Sequence, residues 1–161
     1  MKKKLLALLL VLALCLPVLA GCGSKAATEP EFDDAVQAID EAIGNDGTMI
    51  AVDEDYVKGS MKMDVSGFES WTVKINAYGA NIDEYGVFRA ADADQAAEIK
   101  DAVDAYLQMR ADTWMPEYMP EERPKLDAAQ VVTNGTYVCY FILGTEAMDA
   151  ATTAFNGLFE G

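Results

Sequence analysis

The sequence predicts an α+β domain: an antiparallel four-stranded sheet of two hairpins, with helices packed against it in the order α-β-β-α-β-β-α. Three observations predict it. Trp71, Val73, Ile75 and Ala77 alternate with Thr72, Lys74, Asn76 and Tyr78, the period-two signature of a half-buried strand. Asn134-Gly135 separates two runs rich in strand formers, a strong short-range hairpin signal. Three other stretches space their apolar residues three and four apart, as amphipathic helices do.

In chain order, Phe32, Val36, Ile39 and Ile43 recur at helical spacing and Gly44 closes the run, with Asp33, Asp34, Asp40 and Glu41 on the rest of the surface. Asn45-Asp46-Gly47 is a turn. Thr48 to Ser70 shows no sustained period; Glu54 to Lys58 suits a helical turn and Gly67 a break. After the strand Trp71 to Tyr78, Gly79-Ala80-Asn81 supplies turn chemistry and Ile82 to Ala90 pairs back. Asp92 with Gln95 three residues on resembles a capping box. The helix it opens carries Ala96, Ile99, Val103, Tyr106 and Leu107 on one face and extends to about Ala111 or Thr113.

A proline-broken connector follows from Trp114 through Pro116, Pro120 and Pro124. Ala128 to Thr133 and Thr136 to Leu143 then form the second hairpin. The last strand is apolar on both faces, with Tyr137, Cys139 and Phe141 on one and Val138, Tyr140 and Ile142 on the other. Such a strand belongs inside a sheet covered on both sides. Thr145 is placed to cap a final helix, striped by Met148, Ala151, Phe155 and Phe159.

The first residues have a different logic. Lys2, Lys3 and Lys4 precede an almost wholly Leu/Ala/Val run, Leu5 to Leu16, which Pro17 breaks before small residues follow. This is the layout of a secretory signal. About a dozen residues make a helix of roughly 18 Å, too short to span a bilayer. Leu19-Ala20-Gly21-Cys22 resembles the lipobox of bacterial lipoproteins. That resemblance implies cleavage before Cys22 and a diacylglycerol on its thiol, and palmitate-type chains meet the two-signal requirement for stable anchoring. The competing reading is an ordinary cleaved signal with a cysteine nearby.

The expected division is therefore 1–21 signal peptide, 22–31 lipidated N-terminus and flexible tether, and 32–161 one domain. The expected location is the outer face of the cytoplasmic membrane, in the cell envelope.

Removing the signal takes three lysines and no acids, leaving nine basic against 27 acidic residues, a balance of −18. So acidic a protein is unsuited to nucleic acid. Of three cysteines, Cys15 leaves with the signal and Cys22 is lipidated; Cys139, in an apolar run, reads as a small core residue. The chain has no histidine, which removes the commonest general base and metal ligand. No Gly-x-Ser-x-Gly elbow, phosphate-cradling glycine loop or CxxC is present. No catalytic residue, cofactor or metal site is therefore assigned, and the chain reads as a non-enzyme. Asp53-Glu54-Asp55 and Asp92-Ala93-Asp94 are the densest acidic clusters, but neither continues into a calcium loop, and Asp92 reads better as a helix cap.

Trp114, Met115, Tyr118 and Met119 concentrate large apolar groups in the proline-rich connector. Either they pack back over the sheet as a lid, or they form part of a partner-binding loop, since Trp and Tyr dominate interface hot spots.

Gly86-Val87-Phe88-Arg89-Ala90, the acidic helix start and long helix to Arg110, Tyr118-Met119-Pro120, and Val131 through Val138 carry a family resemblance. The segment from about Tyr85 to Leu143 resembles an uncharacterised bacterial lipoprotein family, domain of unknown function 4358. Met119 stands where the family pattern leads one to expect Asn. The resemblance implies location and fold, and no catalytic residue. The expected role is a non-catalytic adaptor or accessory protein that binds another envelope protein; the alternatives are a binder of a small ligand or cation for a membrane system, and a structural spacer.

Overall fold

The computed structural model describes residues 29–160. The expected signal peptide, the lipobox Leu19-Ala20-Gly21 and Cys22 lie outside the described residues. Helix α1 (Phe32–Ala42) leads to strand β1 (Met49–Ala51) and a short α2 (Glu54–Tyr56) that runs into a π-helical turn, Val57–Met61. Strands β2 (Ser70–Asn76) and β3 (Glu84–Arg89) are followed by the long α3 (Ala93–Asp112) and by α4 (Arg123–Asp127). Strands β4 (Gln130–Asn134) and β5 (Tyr137–Ile142) precede α5 (Thr145–Gly157).

The α+β class and both hairpins are found, but the sheet has five strands, not four. All its neighbours are antiparallel and its order is β1-β2-β3-β5-β4. The extra strand, β1, pairs Met49 with Asn76 at the sheet edge. With three residues, of which only Met49 is buried, it is too short to show a period. Helices α2 and α4 are the other additions to the expected order, α2 falling on the stretch Glu54 to Lys58 that suits a helical turn. In α4 proline does not break the helix: Pro124 sits in the first turn, where its missing N–H costs nothing.

Two turn details also differ. Asn134 pairs with Tyr137, so the hairpin's loop residues are Gly135 and Thr136 rather than Asn134 and Gly135. Only Gly135 takes positive φ, +58°, which suits a glycine-first two-residue turn. Gly144, not Thr145, is the N-cap of α5; Thr145 is its first helical residue and makes no capping bond. At α3 the capping box forms as expected. Asp92 Oδ1 accepts the Gln95 N–H at 2.8 Å, and Gln95 Oε1 accepts the Ala91 N–H at 2.8 Å.

All six residues of β5 are buried, as its two apolar faces require. On one face Val73, Phe88, Val138, Tyr140 and Ile142 pack with Ile99, Val103 and Tyr106 of α3 and with Val57 and Met61. On the other, Tyr85, Val87, Tyr137, Cys139 and Phe141 pack with Ala35 and Ile39 of α1 and with Met148, Ala151 and Phe155 of α5. The molecule is three layers with two cores.

Polar bonds join α1 to the sheet. Asp40 accepts hydrogen bonds from Asn45 Nδ2 at 2.7 Å and Tyr85 OH at 2.8 Å and pairs with Lys74. Burial pushes its carboxyl upward, but the bonds from Lys74, Asn45 and Tyr85 together hold it below its ordinary value. A carboxyl lowered on folding stabilises above its unfolded value and loses that contribution as pH falls through the folded one. Asp40→Asn is therefore expected to cost about 1–2 kcal/mol at pH 7 and less at pH 3, below the ordinary carboxylate value. Urea unfolding at both pH values checks this; equal losses would refute it.

Candidate functional site

Helix α3 delivers its last turns to the end of the sheet where β2 finishes and β3 begins. Tyr106 and Arg110, four residues apart, lie on the same side of it. Strand alternation puts Glu84, Gly86 and Phe88 on the face that α3 covers. Glu84 is 2% exposed, a carboxylate at the edge of an apolar core.

Three donors satisfy it. Tyr106 OH donates to Glu84 Oε1 at 2.7 Å and Tyr140 OH to the same oxygen at 2.5 Å. Arg110 Nη1 pairs with Oε2 and also donates to Tyr106 Oη at 3.1 Å. Tyr140 faces Gly86 across β3 and β5, and a Cβ on Gly86 would lie 2.3 Å from the Tyr140 ring. The bare backbone there gives that ring its room.

Burial, then the nearby Glu84 charge, pushes the Tyr56, Tyr106 and Tyr140 phenols up, so they remain neutral donors at physiological pH. For Arg110, burial pulls the guanidinium down but Glu84 and Tyr106 more than offset it, and it stays charged. A carboxylate held this way is a positioned hydrogen-bond hub.

Above the hub lies a cavity of about 430 Å³. Its walls come from the end of β2 (Ile75, Asn76), the loop Asn81–Asp83, Tyr56 and Ser60, and the end of α3. Asp83 pairs with Lys125 at 2.8 Å and accepts from Asn81 Nδ2 at 3.1 Å. Lys125 also pairs with Glu122 at 2.8 Å, and Glu122 accepts the Ile82 N–H at 3.0 Å. These bonds latch the loop to α4. A second cavity, about 480 Å³, lies across Asp83 and Lys125 between the ends of α1 and α5, but its other walls are mostly small side chains.

The connector residues sort themselves around the first cavity. Trp114, Met115 and Tyr118 line it, while Met119 does not. Met119 is half-buried and takes φ +49°, an unusual conformation for a side-chain-bearing residue. Trp114 packs partly against the α3-side core, with its ring 6.5 Å from that of Tyr118. Met115 and Tyr118 are 63% and 59% exposed. The lid and the displayed loop are thus both present in one segment: Trp114 covers, Met115 and Tyr118 project. Trp114 Nε1–H is buried without a hydrogen-bond partner.

Sequence reasoning missed Glu84, Tyr106, Tyr140 and Arg110 as a group. The available signal was an acid on the buried face of a strand, opposite a Tyr and an Arg one helical turn apart. The acidic clusters serve local structure: Asp53 accepts the Tyr56 N–H at 2.9 Å and Asp92 caps α3. Among the described residues no group of three or more His, Cys, Asp or Glu is placed to hold a metal ion. Cys139 is a fully buried free thiol, its pKa pushed well up by burial.

The chain enters the domain at the far end. Glu29 accepts from the Thr136 N–H at 2.7 Å and from Thr136 Oγ1–H at 2.6 Å, and Tyr137 OH donates to Pro30 O at 2.7 Å. Residues 29 and 30, expected in the tether, are thus held on the β4–β5 turn. Glu84 pairs with Ile142 at one end of the sheet and Arg89 with Tyr137 at the other. The cavity and the chain entry are separated by a strand length, about 17 Å.

A family model described as "Domain of unknown function (DUF4358)" matches residues 41–143. The chain belongs to this family. The matched region of this DUF4358 protein runs from the end of α1 to the residue after β5 and contains the whole hub and cavity lining. No curated protein and no solved structure matches the chain. Among the described residues no helix is long and apolar enough to cross a membrane.

Proposed function

We propose that this DUF4358 protein is a lipid-anchored lipoprotein on the outer face of the cytoplasmic membrane, and that it binds, without transforming, a small polar ligand in the cavity beneath Trp114, Met115 and Tyr118. One observation carries the reading: Asn76, Glu84 and Arg110 converge in a cavity of about 430 Å³ under an aromatic rim. A concavity of that size with a few converging polar groups is what small-molecule sites share. The entry of the chain at the opposite end of the sheet supports it, because a tether there leaves the cavity open to the exterior.

A second reading keeps the site and changes the occupant. Exposure of Met115 and Tyr118 favours an accessory role, in which this rim docks on another envelope protein.

Two measurements test the proposal. Cys22→Ser is expected to release the chain from the membrane fraction; continued fractionation with membranes would refute the lipid anchor. A thermal-shift screen of small polar compounds is expected to yield stabilisers that fail on the Trp114→Ala, Tyr118→Ala double variant. Stabilisers that act equally on that variant would place binding elsewhere.

A further inference from the structure

We infer that the cavity's ligand is an uncharged, oxygen-rich ring: a neutral saccharide. The inference rests on the small-ligand reading above and adds the ligand's chemical class.

Charge is the first argument. Each charged group lining the cavity already has its counter-charge within the protein: Glu84 with Arg110, Asp83 with Lys125. Both Glu84 oxygens accept hydrogen bonds, while Asp83 accepts from Asn81 through Oδ2 and meets Lys125 through Oδ1 as an ion pair with no hydrogen bond of its own. A ligand anion competing for Arg110 would leave a buried carboxylate unpaired, and a ligand cation finds no free acid. The charges offset one another, and a neutral ligand disturbs neither pair.

Two side chains with unspent donors supply the second argument. Both Arg110 bonds use Nη1, which leaves Nη2 and Nε without a protein acceptor among the described residues. Asn76 spends Oδ1 on the Tyr78 N–H and keeps its amide hydrogens. Such a lining asks for a ligand that presents oxygen acceptors.

Shape is the third. Trp114 and Tyr118 place two aromatic rings at one side of the cavity, and the Tyr118 ring is open to solvent. An aromatic face combines apolar area with low ordering cost. A sugar ring presents hydroxyl and carbonyl oxygens at its edge and C–H groups on its face, so it meets both requirements. The cavity size suits one or two such rings.

The test is titration calorimetry on the full chain in detergent. Probes are glucose, N-acetylglucosamine and its tetramer, with glutamate, lysine and an uncharged capped trialanine as controls. A neutral saccharide is expected to bind with a Kd at or below about 1 mM, and the charged controls to give no saturable heat. Trp114→Ala and Tyr118→Ala, which each remove one of the two rings, are each expected to weaken binding at least tenfold. Tighter binding of the tetramer than the monomer would point to a polymeric glycan, the reverse to a free sugar.

Binding of the peptide or a charged control instead of the saccharides would overturn the class and leave the cavity reading intact. Saccharide binding unchanged in both variants would overturn the assignment to this cavity. No binding by any saccharide, with stabilisers still found in the thermal-shift screen, would overturn this inference alone.

Discussion

Arg110→Met is expected to destabilise the domain by about 3–5 kcal/mol. The reason is what stays behind. Glu84 is almost completely buried, and Arg110 is its only cationic partner among the described residues. Two neutral phenols continue to donate to Oε1, but the charge itself is left in a poorly polarisable place. Replacing both partners, Glu84→Gln with Arg110→Met, removes the charge together with its counter-charge and is expected to recover most of the loss. Urea denaturation of the two single variants and the double variant forms the cycle that isolates the pair. If the double variant were as unstable as Arg110→Met alone, the buried charge would not be the cause.

Gly86→Ala is the second large effect, expected to cost about 3 kcal/mol through overpacking. The added methyl would meet Tyr140 Cε1 at 2.3 Å, Tyr140 Cδ1 at 2.9 Å and Phe88 Cε2 at 3.1 Å. These rings are fully buried and stacked, with centroids 6.2 Å apart, so neither can swing to solvent. Moving Tyr140 would also withdraw its hydroxyl from Glu84. The expected result is a lower denaturation midpoint with an altered near-ultraviolet tyrosine spectrum. A cost below about 1 kcal/mol, with an unchanged spectrum, would mean that the ring does not depend on the bare backbone.

Both predictions concern a cluster that sequence reasoning did not assemble, and the contrast with what it did assemble is physical. Period and capping are local, so α1, the β2–β3 hairpin and α3 with its Asp92–Gln95 box were legible. So was the double-faced burial of β5, because six apolar residues in a row leave a strand no polar side. Strand β1 was not, since it exists by pairing with β2 and carries no pattern of its own. Helix α4 was hidden by Pro124, whose effect reverses between the first turn and the interior of a helix.

The candidate site divided along the same line. Trp114, Met115 and Tyr118 stood out because large apolar groups are unusual in a proline-rich loop. Glu84, by contrast, is one acid among 27 until the fold brings Tyr106, Tyr140 and Arg110 to it. Its partners lie 22, 56 and 26 residues away along the chain. No local pattern encodes that meeting. Register does, through the pairing of β3 with β5 that sets Gly86 opposite Tyr140.

The central claim is that binding occurs at the cavity end of the sheet, away from the end where the chain enters. In-cell photocrosslinking tests it most directly, with p-benzoylphenylalanine replacing Tyr118 in one version of the full chain and Ser66 in another. Ser66 is exposed and adjoins Gly67, whose carbonyl accepts from Gln95 in the first turn of α3, so it reports on the opposite end. Mass spectrometry of the recovered chain is predicted to show a reproducible adduct from position 118, lost on Trp114→Ala, and none from position 66. Adducts of equal yield from both positions, or from position 66 alone, would contradict the account.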